Sequence, residues 1–250
     1  MSNIIYGKNP IIEALDAGQP INKIYLATGP KHPADNKIIQ LARQNGIPVR
    51  EVARKKLIEL AGHDKTQGVV AILTEIGYSA IEDIFNRATQ RQEAPLIAIL
   101  DEIQDPHNFG AIIRSAEAFG FHGIVFPKDR SVGITDTVAK TSAGAVSHIP
   151  IVRVQNLAQW MKELKSQNIW IAGADQQAEI SLFEADLNRP LAVVVGSEGK
   201  GLRRLIKESC DFLVRIPMVG QINSLNASVA AALIFCEARK QRGSASGRTA

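Results

Sequence analysis

Cysteine is scarce. Cys210 and Cys236 are the only two in 250 residues, and they stand far apart without a CxxC. That usage argues against a disulfide framework or a cysteine zinc site and suits a reducing, cytoplasmic setting. The five histidines form no HExxH or other ligand spacing, so no metal is expected. Long apolar runs are missing too. Leu96–Leu100, Leu191–Val195 and Ala227–Cys236 (interrupted by Ser228) all fall short of the about 20 residues that span a bilayer, so no membrane is expected. The opening MSNIIYGKNP has no basic segment ahead of an apolar core, so no signal peptide is expected. What remains is an ordinary globular composition, 45% hydrophobic and 22% charged.

The net charge of +4 is unevenly placed. Residues 1–73 hold ten Lys or Arg against six Asp or Glu, and the remaining chain balances. A basic first third suits a phosphate-bearing partner, although a surplus of four on a small domain is also unremarkable.

Two α/β series follow one another. In the first, Asn9 and Pro10 predict a helix over 9–17 closed by Gly18. NKIYLA (22–27), PVREV (48–52) and QGVVAIL (67–73) predict strands, with helices at 35–45 and 54–60 between them. Residues 74–94 are more polar and read as a linker holding one short helix capped by Ser79. From Pro95 the pattern restarts with apolar strands at 96–100, 123–126, 150–154, 169–173, 191–195 and 212–216. Helices are predicted near 108–119, 157–167, 201–208 and 226–240. Continuous apolar strands alternating with helices predict a parallel sheet covered on both faces. The expected organisation is an accessory domain over 1–73, a linker over 74–94, a catalytic domain over 95–242 and a flexible tail over 243–250.

Three stretches carry chemistry. In VVVGSEGKGL (193–202) a buried strand ends in a glycine turn. Neither a Walker A motif nor GxGxxG is satisfied, and Glu198 inside the turn repels phosphate. Such a turn at the carboxyl end of a strand suits a ligand without phosphate and preferably cationic, for which S-adenosylmethionine fits. In DPHNFGAIIRSAEAFG (105–120), Asn108 stands near a helix start, where it would also serve as a plain cap. Gly110 permits close backbone approach. Arg114 follows six residues on, about 9 Å along a helix, and leans back toward Asn108. In IPMVGQINSLNASVAAALIFCEA (216–238) a strand ends at Pro217. The loop beyond it holds Gly220, Asn223, Ser224 and Asn226. A helix follows whose first turns are apolar on every side and so read as buried all round.

Taken together and in this order, NFGAIIR, GSEGKGL and IPM…SLNASVA resemble the three motifs of the SpoU/TrmH class of SPOUT RNA ribose methyltransferases. YGKNPIIEAL and TQGVVAIL resemble that class's accessory RNA-binding domain, which is similar to a ribosomal-protein L30e-like fold. The likeness runs from Tyr6 to Arg242 and is greatest to the branch that methylates a guanosine of large-subunit (23S) rRNA. Thr66 departs from it, where a histidine is expected.

The resemblance implies an α/β chain with a small L30e-like domain and a C-terminal SPOUT domain. In that domain a parallel sheet ends in a deep trefoil knot, a feature no periodicity argument proposes. It implies a homodimer, S-adenosylmethionine as cofactor, and transfer of its methyl group to a ribose 2′-hydroxyl of rRNA. By the same resemblance, Gly196, Gly201, Ile216, Met218 and Leu225 hold the cofactor. Asn108, Arg114, Glu198, Ser224 and Asn226 form the catalytic set. A guanidinium stays protonated at ordinary pH, so phosphate binding and alkoxide stabilisation suit Arg114 better than the role of base. Two alternatives remain open: a tRNA substrate with the same chemistry, and a non-catalytic RNA-binding or ribosome-assembly factor. A dinucleotide oxidoreductase is disfavoured by the missing fingerprint.

Overall fold

The computed structural model describes residues 4–73, 77–221 and 224–246. The chain forms two compact units that divide between Gly77 and Tyr78.

The first unit runs β1 (Ile4–Tyr6), α1 (Lys8–Asp16), β2 (Ile21–Ala27), α2 (Pro33–Gln44), β3 (Val49–Val52), α3 (Arg54–Ala61) and β4 (Val69–Leu73). Its strands lie in the order β1-β4-β2-β3, with β2 and β3 parallel and the other pairs antiparallel. Ile24, Leu26, Val69 and Ala71 bury one sheet face against Ile11 of α1 and Ile38 of α2. The first helix begins earlier than Asn9. Gly7 precedes it at φ 90°, and the Lys8 N–H donates to Gln67 Oε1 at 3.0 Å. The loop before β4 therefore closes that helix end in place of an Asn9 cap. Thr66 is completely buried, and its Oγ1 accepts from the Gly68 N–H at 3.4 Å. A position expected to carry histidine is thus a small interior hydroxyl.

The second unit runs α4 (Ile81–Gln90), β5 (Leu96–Asp101), α5 (Pro106–Ala118), β6 (Gly123–Pro127), α6 (Asp136–Thr141), a 3-10 turn (Ala145–Ser147), β7 (Ile151–Val154), α7 (Leu157–Ser166), β8 (Trp170–Ala174), β9 (Ile180–Ser181), β10 (Leu191–Gly196), α8 (Arg204–Glu208), β11 (Phe212–Arg215) and α9 (Ala227–Ser246). Its seven strands pair in parallel throughout, in the order β7-β6-β5-β10-β8-β11-β9. All six residues of β5 and all six of β10 are buried, as covered parallel strands require.

The structure differs from expectation at four points. The stretch 74–94, read as a linker holding one short helix, does carry that helix as α4, but most of it falls within the second unit. Residues 74–76 lie outside the described residues, and from Tyr78 the chain belongs to the second unit. Ile84 of α4 is completely buried and lies so close to Gly123 that a Cβ there would overlap it. The helix starts after Ala80 rather than a Ser79 cap, with the Ala80 N–H donating to Asp83 at 2.9 Å. Of the tail expected over 243–250, residues 243–246 belong to α9, and 247–250 lie outside the described residues. Gln241 donates to the Ala185 carbonyl at 3.1 Å, and Arg242 donates to the Ala94 and Pro95 carbonyls at 2.7 and 2.9 Å. These bonds hold the helix just ahead of the stretch where composition suggested fraying. Finally, α9 is not buried on every side. Ala231, Ile234, Phe235 and Ala238 are completely buried, and the helix packs on α5 and β10. Val229, Leu233 and Cys236 form an exposed stripe at spacings of four and three residues.

His122 joins the sheet at its amino end. Its backbone N–H donates to Leu96 O at 2.8 Å, and its Nδ1 accepts from Leu96 N at 3.0 Å. Complete burial, opposed by the Glu93 carboxylate and reinforced by the nearby Arg242, Arg91 and Arg87, depresses its pKa to about 4. The unfolded chain therefore binds this proton first as pH falls. The contribution of neutral His122 to stability is full above about 6.5 and is lost progressively as pH drops toward its folded value. Thermal unfolding followed from pH 7.5 to pH 4 should show that loss. In His122→Gln the part of the slope due to this group should vanish, on a lower baseline.

Candidate active site

The carboxyl ends of β5 and β10 lie side by side, with Asp101 opposite Gly196 in the register. Open parallel sheets present ligands at this edge. After Gly196 the chain doubles back. The Gly201 N–H donates to Ser197 O at 2.9 Å, and Gly199 and Gly201 take φ values of 79° and 66°. A Cβ on residue 196 would overlap the Gly201 carbonyl. Glycine is thus required there by contact and at 199 and 201 by conformation. Holding Gly201 in the turn shortens the expected 201–208 helix to α8.

A buried ion pair ties this turn to the sheet. Asp101 is completely buried; it accepts from the Arg203 backbone N–H at 2.9 Å and from Nε at 2.7 Å, with Nη2 at 2.6 Å. Sequence reasoning missed this pair. Asp101 reads as a strand's last residue and Arg203 as a surface cation, a hundred positions apart.

Three motif residues meet over the turn. Asn226 Nδ2 donates to Glu198 Oε2 at 2.9 Å and to Asn108 Oδ1 at 2.9 Å, and Asn108 Nδ2 donates to the same Glu198 oxygen at 3.4 Å. Asn108 is free for this because Asp105 caps α5, accepting from the His107 N–H at 2.8 Å, with Pro106 in the first turn. Asn108 is therefore a bridge and not the cap. Asn226 also caps α9: its Oδ1 accepts from the Ser228 N–H at 2.9 Å. Gly110 brings α5 against α6, since a Cβ there would lie 2.7 Å from Thr141 Cβ and 2.9 Å from Val138 O.

Two cavities share the wall made by Ser197, Glu198, Lys200 and Ala227. The larger, about 380 Å³, is lined by Gly196, Gly201, Ile216, Ser224 and Leu225, with apolar Val195 and Val214 and the pair Lys207–Asp175 (2.7 Å). The smaller, about 230 Å³, has Asn108, Glu102, Gln104 and Asp105 on its far side. Met218 is half-buried and outside both walls, and Asn223 lies outside the described residues. Arg114 is exposed and lines neither cavity, and its side chain makes no hydrogen bond or ion pair among the described residues. Its expected reach back toward Asn108 is not realised, because Asn108 turns inward to Glu198 and Asn226. No group of His, Cys, Asp and Glu among the described residues is arranged to hold a metal, and no described helix is long and apolar enough to cross a membrane.

A covered parallel sheet with a glycine turn folded over its carboxyl edge, and paired cavities at that edge, is an α/β domain of the open-sheet class, which presents ligands there. Residues 95–236 match the model of the SpoU rRNA methylase family, and residues 4–79 match the RNA 2′-O ribose methyltransferase substrate-binding domain. The chain belongs to the SpoU rRNA methylase family. It is 45% identical over 238 residues, 95% of each chain, to YacO of Bacillus subtilis, named a TrmH family tRNA/rRNA methyltransferase. The SpoU methyltransferase AviRb from Streptomyces viridochromogenes, solved with the cofactor AdoMet, is similar at TM-score 0.68 and 27% identity, covering 96% of this chain and 90% of that one. An AdoMet-bound rRNA methyltransferase from Sinorhizobium meliloti is similar at TM-score 0.63 and 26% identity, over 95% and 86% of the two chains.

Asn226→Asp separates the two duties of this residue. Aspartate caps a helix as well as asparagine does, but it would set a second carboxylate against Glu198 in place of a donor. We expect a loss of about 0.5–1.5 kcal/mol of stability at neutral pH, measured by denaturant unfolding. Gly196→Ala, which forces a Cβ onto the Gly201 carbonyl, should cost about 1–3 kcal/mol and disturb the larger cavity.

Proposed function

We propose that this protein transfers a methyl group from S-adenosylmethionine to the 2′-hydroxyl of a guanosine in large-subunit rRNA. The observation that carries the reading is the convergence of Asn108, Glu198 and Asn226, from three separate motifs, in one hydrogen-bonded cluster whose Glu198 stands in the wall shared by two cavities. The larger cavity fits the cofactor. It offers apolar walls, backbone groups of a glycine turn and a carboxylate, with no phosphate cradle, and its volume lies within the usual small-ligand range. When bound, S-adenosylmethionine would supply the methyl group, its S–CH3 bond breaking to a neutral thioether as the O–CH3 bond forms, and the 2′-hydroxyl proton would pass to solvent.

The residues of this chain do the positioning. Gly196, Gly201, Ile216 and Leu225 line the cofactor cavity, and Met218 stands two residues beyond Ile216. The hydrogen-bonded Asn108–Glu198–Asn226 set fixes the turn between donor and acceptor. Ser224 offers a hydroxyl at the mouth of the cofactor cavity. The smaller cavity takes the acceptor ribose. Holding two reactants in line supplies about 7–11 kcal/mol of a barrier, so no metal is required. Arg114, exposed and unpaired among the described residues, serves as a cation for a phosphate of the RNA.

The first unit matches a substrate-binding domain and carries the basic excess of the chain. Likeness to an rRNA methyltransferase over both units favours rRNA above tRNA. The exposed Val229–Leu233–Cys236 stripe suits a second copy of the chain, giving a homodimer. The return of α9 onto α5 and β10, next to the 196–202 turn, suits a threaded, knotted path. A cytoplasmic enzyme accords with this substrate.

The test is methyl transfer from labelled S-adenosylmethionine to large-subunit rRNA and to tRNA, each from cells lacking ribose methylation. The label is mapped by resistance of the 2′-methylated linkage to alkali. Label at one guanosine of rRNA supports the reading, label in tRNA moves the substrate, and no label with no cofactor binding refutes an enzyme. Arg114→Lys should keep most activity if the charge suffices. Loss of activity with RNA binding intact would assign Arg114 a role that depends on guanidinium geometry.

A further inference from the structure

A third cavity lies farther along the same edge of the sheet. It measures about 360 Å³ and is lined by Pro127, Arg130, Gln155, Asn156, Arg203 and Leu205, with Asp129 as its carboxylate. Pro127 ends β6 and Gln155 directly follows β7. The strand order β7-β6-β5-β10 therefore sets this cavity beside the acceptor cavity, on the side away from the cofactor. Adjacent strands are about 4.8 Å apart, so the three cavities follow one another along the carboxyl edge.

The divide between the second and third cavities is built unusually. Glu102 lines the acceptor cavity, and its Oε1 lies 3.3 Å from Arg130 Nη1 and 3.4 Å from Arg203 Nε. Both Glu102 and Arg130 hold left-handed backbone, at φ 57° and 60°. Neither is glycine, so each holds a conformation that a side chain disfavours. Strain of this kind gathers at ligand-handling sites. Here it aims two side chains at each other across a groove. The Arg130 side chain is 70% exposed, so most of its guanidinium still faces solvent. Gln155 is exposed and makes no hydrogen bond among the described residues, leaving its amide open. An open guanidinium beside an open amide is the equipment for one phosphate and one base edge.

We propose that this groove receives the nucleotide flanking the methylation target, with Arg130 on its phosphate and Gln155 reading its base. The assignment rests on the RNA methyltransferase reading above. It makes Arg130 a positioning residue: the flanking phosphate fixes the strand, and the neighbouring ribose is thereby set in the acceptor cavity. Glu102 holds Arg130 in place through one oxygen.

The test uses the full chain, with Arg130→Ala, Arg130→Lys and Gln155→Ala. Binding of a fluorescent single-stranded RNA 12-mer is followed against KCl with S-adenosylhomocysteine present, and methyl transfer is followed on the RNA that the wild-type protein modifies. Unchanged melting temperature and S-adenosylhomocysteine affinity establish that each variant is folded. Loss of one phosphate contact should reduce the slope of log affinity against log salt by about 0.7 in Arg130→Ala. It should raise the KM for RNA about tenfold with kcat within twofold, the loss of uniform binding. Arg130→Lys should keep the salt slope. Gln155→Ala should flatten the preference among RNAs that differ only at the nucleotides flanking the target. A fall in kcat with unchanged KM and salt slope would overturn the proposal and make Arg130 a brace for Glu102. If no RNA accepts label from the wild-type protein, the enzymatic reading fails, while a changed 12-mer slope would still support the groove. Intact transfer with an unchanged slope sinks the groove alone.

Discussion

A carboxylate taken wholly out of water must be answered by a cation and by hydrogen bonds. Asp101 is such a group, at the end of the most deeply buried strand, and Arg203 answers it with its backbone N–H and its guanidinium. That demand fixes where residues 197–203 lie. With Arg203 anchored over β5, the chain leaving β10 must turn back within a few residues. It does so only because position 196 has no side chain and positions 199 and 201 accept left-handed backbone. Glu198 is thereby lifted to the height at which Asn108 and Asn226 meet it. The same guanidinium lines the third cavity and reaches Glu102 in the wall of the smaller one, so it joins those two walls.

The sequence made the sheet legible because its strands are apolar without interruption. A residue buried on both faces leaves no alternation to misread, and β5, β6 and β10 lie within a residue or two of where composition put them. The start of α7 was legible for a similarly local reason, whereas Asp105 and Thr135, which cap α5 and α6, were passed over. Asn156 caps α7 by accepting from the Gln159 N–H at 3.0 Å. Elements whose ends are fixed from elsewhere were not legible. The start of α1 is set by Gln67, the persistence of α9 by carbonyls of residues 94, 95 and 185, and the place of α4 by a glycine on β6. None of those partners is near in sequence.

The site divides along the same line. Asn108, Glu198 and Asn226 were legible as candidates because each stands in a motif, and polar residues beside glycine at a strand end are chemically conspicuous. Their mutual hydrogen bonds were not legible, since nothing in one dimension says that an amide near a helix start faces another beyond a hundred residues. Asp101 and Arg203 were invisible because a strand-terminal aspartate and a surface arginine are commonplace. Arg114 was placed wrongly for a geometric reason. Six residues along a helix is a rotation of about 240°, so a side chain there leaves the face that carries Asn108.

Asn226 binds these layers together. Its carbonyl oxygen starts α9, and its amide nitrogen holds Glu198 and Asn108. The helix it starts has one side sealed on α5 and β10 and the other side bare along Val229, Leu233 and Cys236. A second copy seated on that bare side would therefore press on the element whose first residue closes the wall between cofactor and acceptor. One helix, held near its far end by Gln241 and Arg242, carries the exposed apolar stripe on its flank and the Asn226 hydrogen bonds at its tip.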